Sequence, residues 1–243
     1  DRFDAMKKVI IKANLVSKFK SINNTDIFKM EYWPLERAKL NNQNTKKFNG
    51  NVAVITGGAG KIGSAIANKF INENIEVILL DKNFKNLDIN IKKKCLCIAC
   101  DLTNNSQINK ALNQILKLFG GIDILIANSG AAFQGSMLNV KKDILEKSLE
   151  VNFYSHHNIV QKIANIMVSQ GFGGSISLNL SKQSINPGKD FGPYGIAKAS
   201  SLFSMKQYAL EFGKYNIRVN GINADRIKSG LLTDQFIKER AKA

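Results

Sequence analysis

The sequence predicts a doubly wound parallel α/β sheet, and three observations carry that prediction. Short apolar runs of β type recur near residues 52–56, 76–80, 95–100, 122–128, 174–180 and 217–223. Helical patterns fill the gaps between them, and each gap is long enough for a crossover, which makes neighbouring strands parallel. The first run breaks into a glycine-rich turn followed by a helix, the order in which such sheets build a phosphate site.

Residues 1–49 read as a helical appendage and linker. Phe3, Met6, Ile10 and Leu15 recur at helical spacing, Pro34 suits the first turn of a short helix, and NNQNTKKFNG leads into the first strand. Tyr32 and Trp33 are apolar enough to plug onto the next domain, although a packed terminal helix explains them as well. Residues 50–243 read as a single dinucleotide-binding domain. Val52 to Ile55 suit a strand buried on both faces, and Ile62, Ile66 and Phe70 mark the inner face of the helix behind it. Between them Gly57, Gly60 and Gly63 allow φ > 0 and close approach to the backbone, so that N–H groups around Lys61 and Ile62 point at a pyrophosphate. The second strand ends in Asp81, where such a fold places the acid that accepts from a ribose 2′-hydroxyl. That carboxylate repels a 2′-phosphate, so NAD is expected in preference to NADP. Asp101, the Asn128–Gly130 turn and Ser181 also fall at strand ends, which argues for one site.

Composition narrows the partners. A chain of 243 residues, 44% of them hydrophobic, can bury a full core. Its +16 formal charge raises the question of nucleic acid, but the excess is spread along the chain. Residues 1–50 hold 11 basic and 5 acidic side chains, and the rest hold 24 and 14. The run Lys92 to Lys94 has no interleaved aromatics, so solvated lysines that attract small anions are expected and nucleic-acid binding is not. Cys95, Cys97 and Cys100 crowd one strand, the first two sharing a face, and read as reduced buried thiols of a cytosolic protein. His156 and His157 lie in another element, so no metal site is expected. No apolar run reaches membrane-spanning length, and no signal peptide is visible.

Tyr194 and Lys198 stand four apart in a helical pattern and share a face. A tyrosine working as a base near neutral pH needs its pKa of about 10 lowered by roughly three units. A lysine ammonium about 4 Å away would contribute that much at an effective dielectric of 20. Ser181, ending the preceding strand, supplies a hydroxyl for a substrate oxygen. Lys182, Lys189 and Arg226 flank the same region and could converge on a carboxylate or phosphate.

With these residues in place, the chain resembles the short-chain dehydrogenase/reductase family over about residues 50–230. The resemblance rests on TGGAGKIG at 56–63, Asp81, CDLT at 100–103, ANSG at 127–130, Asn152, SLNLS ending at Ser181, YGIAK at 194–198 and RVNGINADRIKS at 218–229. It implies a Rossmann fold and an NAD(P)-dependent enzyme acting on CH–OH groups. Tyr194 is then the proton donor and acceptor, and Lys198 binds ribose and lowers the tyrosine pKa. Ser181 orients the substrate, Asn152 anchors a relay water, and Asp101, Leu102 and Ser229 join the cofactor residues. The glycines follow TGxxGxxG, the spacing of the larger sugar-nucleotide branch, while the other motifs side with the single-domain branch. EYWPLERAKL and SKQSINPGKDFGPYGIAKAS look like the dehydrogenase half of the bifunctional aldolase/short-chain dehydrogenases. That implies a small sugar-derived alcohol, aldehyde or sugar phosphate as substrate, a homo-oligomeric parent and an aldolase module ahead of the dehydrogenase. Two alternatives stay open: an epimerase or dehydratase that retains its NAD, and a non-catalytic dinucleotide-binding module. The resemblance also implies a further strand beyond Ala243, so the sheet is expected to be incomplete at its C-terminus, with residues 217–223 as an edge.

Overall fold

The computed structural model describes residues 50–225 together with Phe48 and Ile227. Six parallel strands form one sheet in the order β3-β2-β1-β4-β5-β6. They are β1 (Val52–Thr56), β2 (Glu76–Asp81), β3 (Leu96–Ala99), β4 (Ile124–Ala127), β5 (Gly174–Asn179) and β6 (Ile217–Ile222). The order reverses between β1 and β4, and the crevice at their carboxyl ends is where such sheets bind ligands. Five of the six strands fall within the runs expected from the sequence, and β2 runs one residue further, to Asp81. Their central members are apolar on both faces because both faces are covered: Val52, Ala53, Val54 and Ile55 are each wholly buried.

The helices are α1 (Lys61–Asn72), α2 (Ile89–Lys94), α3 (Asn105–Phe119), α4 (Lys142–Leu149), α5 (Ser155–Gln170) and α6 (Gly192–Phe212). One core layer joins Ala53, Ile55, Val77 and Leu79 to α1 and α2 through Ile66, Phe70 and Ile91. The other joins Val54, Ile78, Leu80 and Leu125 to α3 and α5 through Ile108, Ile115, Ile159 and Ile163. Cys95 and Cys97 pack on the first layer and Cys100 in the second, and all three thiols are free. Burial raises their pKa values, to about 12 for Cys95 and about 11 for Cys100, so they are poor nucleophiles.

Side chains seal the entries to the sheet. Val52 N donates to Asp123 Oδ2 at 2.7 Å, fixing the start of β1 against β4. Gln170 at the end of α5 exchanges two hydrogen bonds with the backbone of Ile122, at 2.8 and 3.0 Å. Between α4 and α5 the chain makes a π-helical turn at Glu150–Tyr154, closed by Ser155 N donating to Glu150 O. A bridge between Gly135 and Phe191, with Gly135 N donating to Asp190 O at 2.8 Å, ties the loop after β4 to the loop before α6. Among the described residues no helix is long and apolar enough to cross a membrane.

Candidate active site

The glycine turn after β1 is shaped by contacts that no side chain could share. Gly57 adopts φ +63°, and a Cβ there would stand 2.8 Å from Ser129 Cα. A Cβ on Gly63 would stand 2.2 Å from Gly57 O. The turn leads into α1, whose N-cap Gly60 has no side-chain oxygen to satisfy the first N–H groups. Those donors and the positive end of the helix dipole are left for an anion. Asp81 holds the turn: its Oδ2 accepts from Ala59 N at 2.9 Å and its Oδ1 from Lys82 N at 2.7 Å.

A second turn, Asn128 to Gly130 at the end of β4, packs directly on the first. Thr56 Oγ1 accepts from Asn128 N at 2.9 Å and from Ser129 N at 3.1 Å. Asn128 Nδ2 donates to Thr56 O at 3.0 Å and to Gly57 O at 3.3 Å, and Asn128 Oδ1 accepts from Asn179 Nδ2 at 2.9 Å. The ends of β1, β4 and β5 are thus locked into one polar ledge.

Beyond the ledge stand the four residues with an expected chemical role. Asn152 lies in the π-helical turn and is fully buried. Its Nδ2 donates to Ala131 O at 3.0 Å and its Oδ1 accepts from Ala131 N at 3.1 Å. Its own carbonyl accepts from Ser201 Oγ at 2.9 Å. Lys198, 3% exposed, donates from Nζ to Asn179 O at 2.8 Å and sits 5.8 Å from the centre of the Tyr194 ring. Burial pulls the Lys198 pKa down to about 8. Burial also raises the Tyr194 phenol above its ordinary value, opposed by a hydrogen bond with the Ser181 hydroxyl.

That last observation corrects one expectation. The sequence reading has the lysine lowering the tyrosine pKa, but its ammonium is committed to Asn179 O and desolvation of the phenol wins. A second correction concerns Lys182, expected to reach for an anionic substrate: its Nζ lies 3.3 Å from Asp225 Oδ2, so its charge is already matched. Lys189 is exposed, and Arg226 and Ser229 lie outside the described residues, as do nearly all of residues 1–49.

A cavity of about 520 Å³ opens at these strand ends. Gly57, Gly60, Lys61, Ile62, Asp81, Asp101, Leu102, Asn128, Ser129, Gly130, Tyr194 and Lys198 all line it. Gly63, Asn152 and Ser181 are not in the lining but touch residues that are: Gly63 packs under Gly57, Asn152 stands against Gly130, and Ser181 hydrogen-bonds Tyr194. Sequence reasoning missed Thr103, Asn179 and Lys82 in the lining. Lys82 Nζ pairs with Asp101 Oδ2 at 2.9 Å. Although burial alone would raise the Asp101 carboxyl, bonds from Thr103 and Lys82 hold it below its ordinary pKa. Among the described residues no three His, Cys, Asp or Glu side chains are grouped to hold a metal ion.

Comparison with known proteins shows the family and the fold. A family model described as short chain dehydrogenase matches residues 51–240, and one described as aldolase class II, second domain, matches residues 3–40. An uncharacterized oxidoreductase of Bacillus subtilis (strain 168), YuxG, is 29% identical over 95% of this chain, which spans 35% of that protein's length. Dehydrogenase/reductase SDR family member 4 of Caenorhabditis elegans is 30% identical over 76% of this chain and 74% of its own length. Among solved structures, NAD+-bound xylitol dehydrogenase superposes with a TM-score of 0.70 at 27% identity, covering 73% of this chain and 71% of that one. The NADH complex of 3-ketoacyl-(acyl-carrier-protein) reductase from Brucella melitensis gives 0.75 at 23% identity, covering 80% and 83%, a likeness of fold.

Proposed function

Because the chain belongs to the short-chain dehydrogenase family, we propose that it is an NAD-dependent oxidoreductase acting on a small sugar-derived alcohol, aldehyde or sugar phosphate, with Tyr194 as general acid and base. The observation that carries this reading is that one cavity joins the uncapped N-terminus of α1 to Tyr194 and Lys198. A nicotinamide dinucleotide fits the residues present, since side chains are excluded at Gly57 and Gly63 where its pyrophosphate would approach the backbone. Lys61 and Ile62 N–H groups would take the pyrophosphate, Asp81 the adenosine ribose, Asp101 and Leu102 the adenine side, and Tyr194 and Lys198 the nicotinamide side. The bound cofactor supplies the hydride acceptor in its oxidised form and the donor in its reduced form.

The protein's own residues handle the proton. A phenol with a raised pKa rests protonated, which suits donation to a carbonyl oxygen held by the Ser181 hydroxyl. In the opposite direction Tyr194 must lose its proton, so alcohol oxidation should gain speed with rising pH and carbonyl reduction should lose it. Asn152, clamped on Ala131, fixes the wall behind the reacting carbon. The sugar-derived substrate is supported by likeness to xylitol dehydrogenase and by the aldolase-type match at residues 3–40, which also supports residues 1–49 as the end of an aldolase module joined to a dehydrogenase domain.

Sugar alcohols, lactaldehyde and sugar phosphates screened for a change in nicotinamide absorbance test the reading. Tyr194→Phe should abolish turnover while leaving NAD affinity within about threefold, and Lys198→Ala should weaken both. Near-normal turnover of Tyr194→Phe would exclude Tyr194 as the proton-transfer group.

A further inference from the structure

Behind the ledge, α5 carries a histidine that the catalytic reading does not use. His156 is 1% exposed. Its Nε2 lies 2.6 Å from Ser129 O and 3.4 Å from Ser129 Oγ, while its Nδ1 is buried without a hydrogen-bond partner. A carbonyl oxygen can only accept, so the 2.6 Å contact places the proton on Nε2 and leaves Nδ1 as an unpaired acceptor. An orphaned buried acceptor is costly and asks for a compensating gain. Here the gain is the hold on Ser129. The ring cannot escape this state by taking a second proton. Burial and the nearby Lys198 ammonium pull its pKa down to about 3, against the opposing bond to Ser129.

The consequence follows from what Ser129 touches. Thr56 Oγ1 holds Asn128 and Ser129 by their N–H groups, leaving the Ser129 carbonyl to be fixed from elsewhere. Gly57 leans on Ser129 Cα with no room for a methyl group, so any drift of Ser129 is felt by the glycine turn. We propose that His156 is a positioning residue whose Nε2–H clamps the Ser129 carbonyl and so sets the Asn128–Gly130 turn against the glycine turn across the cofactor cavity. The clamp itself rests on geometry, and its effect on cofactor binding rests on the function proposed above.

Three substitutions separate a clamp from a packing residue. The amide nitrogen of Gln can stand where Nε2 stands, that of Asn only near Nδ1, and Leu fills space without donating. Amide hydrogen exchange at Ser129 and Ala131 in the cofactor-free chain should accelerate about tenfold in His156→Asn and His156→Leu, as expected for one lost hydrogen bond, and stay near wild type in His156→Gln. NAD affinity should follow the same order, about tenfold weaker in the first two, with a fully loaded kcat changed less than the Michaelis constant. If wild type does not bind NAD, the proposed function falls while the exchange rates still decide the clamp. Equal exchange in all three variants, or failure of all three to fold, would overturn it and mark His156 as a packing residue.

Discussion

Replacing Gly63 by alanine tests how the glycine turn is built. The new Cβ would stand 2.2 Å from Gly57 O, 2.9 Å from Gly57 C and 2.9 Å from Gly58 Cα, all backbone atoms that cannot rotate away. To restore contact the Gly57 carbonyl must retreat by about 1 Å in an interior that yields little. That carbonyl accepts from Gly60 N at 3.2 Å and from Asn128 Nδ2 at 3.3 Å, so both bonds loosen as it moves. Overpacking costs about 1–3 kcal/mol and each weakened bond about 0.5–1.5 kcal/mol, giving roughly 2–6 kcal/mol in all. At about 2–4 °C per kcal/mol for a chain of this size, the melting temperature should fall by roughly 4–24 °C. Two other glycines serve as controls. Gly171 has φ +77° and open space around it, so alanine pays only the left-handed backbone penalty of about 1–2 kcal/mol. Gly213 has φ −54° and nothing within 4 Å, so alanine there should gain about 0.4–1 kcal/mol. Thermal melts followed by circular dichroism should rank the variants Gly213→Ala, wild type, Gly171→Ala, Gly63→Ala. Titration with NAD should show an affinity loss in the last alone. A Gly63→Ala protein melting within 2 °C of wild type and binding NAD unchanged would refute the reasoning.

Asp81→Asn keeps the side-chain shape but drops the charge that faces a 2′-phosphate, so the ratio of catalytic efficiencies should move toward NADP by about tenfold, the equivalent of about 1.4 kcal/mol. An unchanged ratio would reduce Asp81 to the strut of the glycine turn. Acid stability should report His156, whose pKa drops from 6.5 unfolded to about 3 folded. The unfolded chain binds a proton in that window that the folded chain refuses, so stability is full above pH 6.5 and falls toward pH 3. The mid-window slope is about 1.4 kcal/mol per pH unit. Urea melts of wild type and His156→Gln should diverge in slope across that window, and parallel curves would show that His156 is protonated in the folded protein.

The strands were legible because β1 to β4 centre on continuous apolar runs and β5 and β6, GSISLN and IRVNGI, alternate apolar with polar residues, so none needed a partner to be recognised. The cavity lining was legible for a related reason: the glycines and Asp81 sit at strand ends whose position follows from strand order. What escaped was set by register and by distance across the sheet. Asn179 reads as an ordinary strand residue until β4 and β5 pair, which brings it to Asn128. Lys182 reads as a free cation until the end of β6 delivers Asp225. The Tyr194 and Lys198 helical spacing was right, but spacing says nothing of Asn179 O, which takes the ammonium. His156 stands next to His157 in the helix segment SHHNIV, where spacing alone does not tell the two apart, and only the tertiary contact with Ser129 distinguishes it.

The π-helical turn at Glu150–Tyr154 has a consequence for how this region can change. A residue inserted into an α-helix turns everything after it by about 100° relative to what came before. Upstream of the turn, Ser148 donates to Pro193 O at 2.9 Å at the start of α6, and downstream His156 reaches Ser129 at the end of β4. The turn supplies the phase offset that lets one continuous rod serve both. Deleting a single residue from Glu150 to Tyr154 would bring the rod back into phase, and either Ser148 or His156 would swing off its target. Length in this segment is therefore constrained as tightly as identity is at Asn152, and at the other four positions an exchange of side chains is the milder lesion.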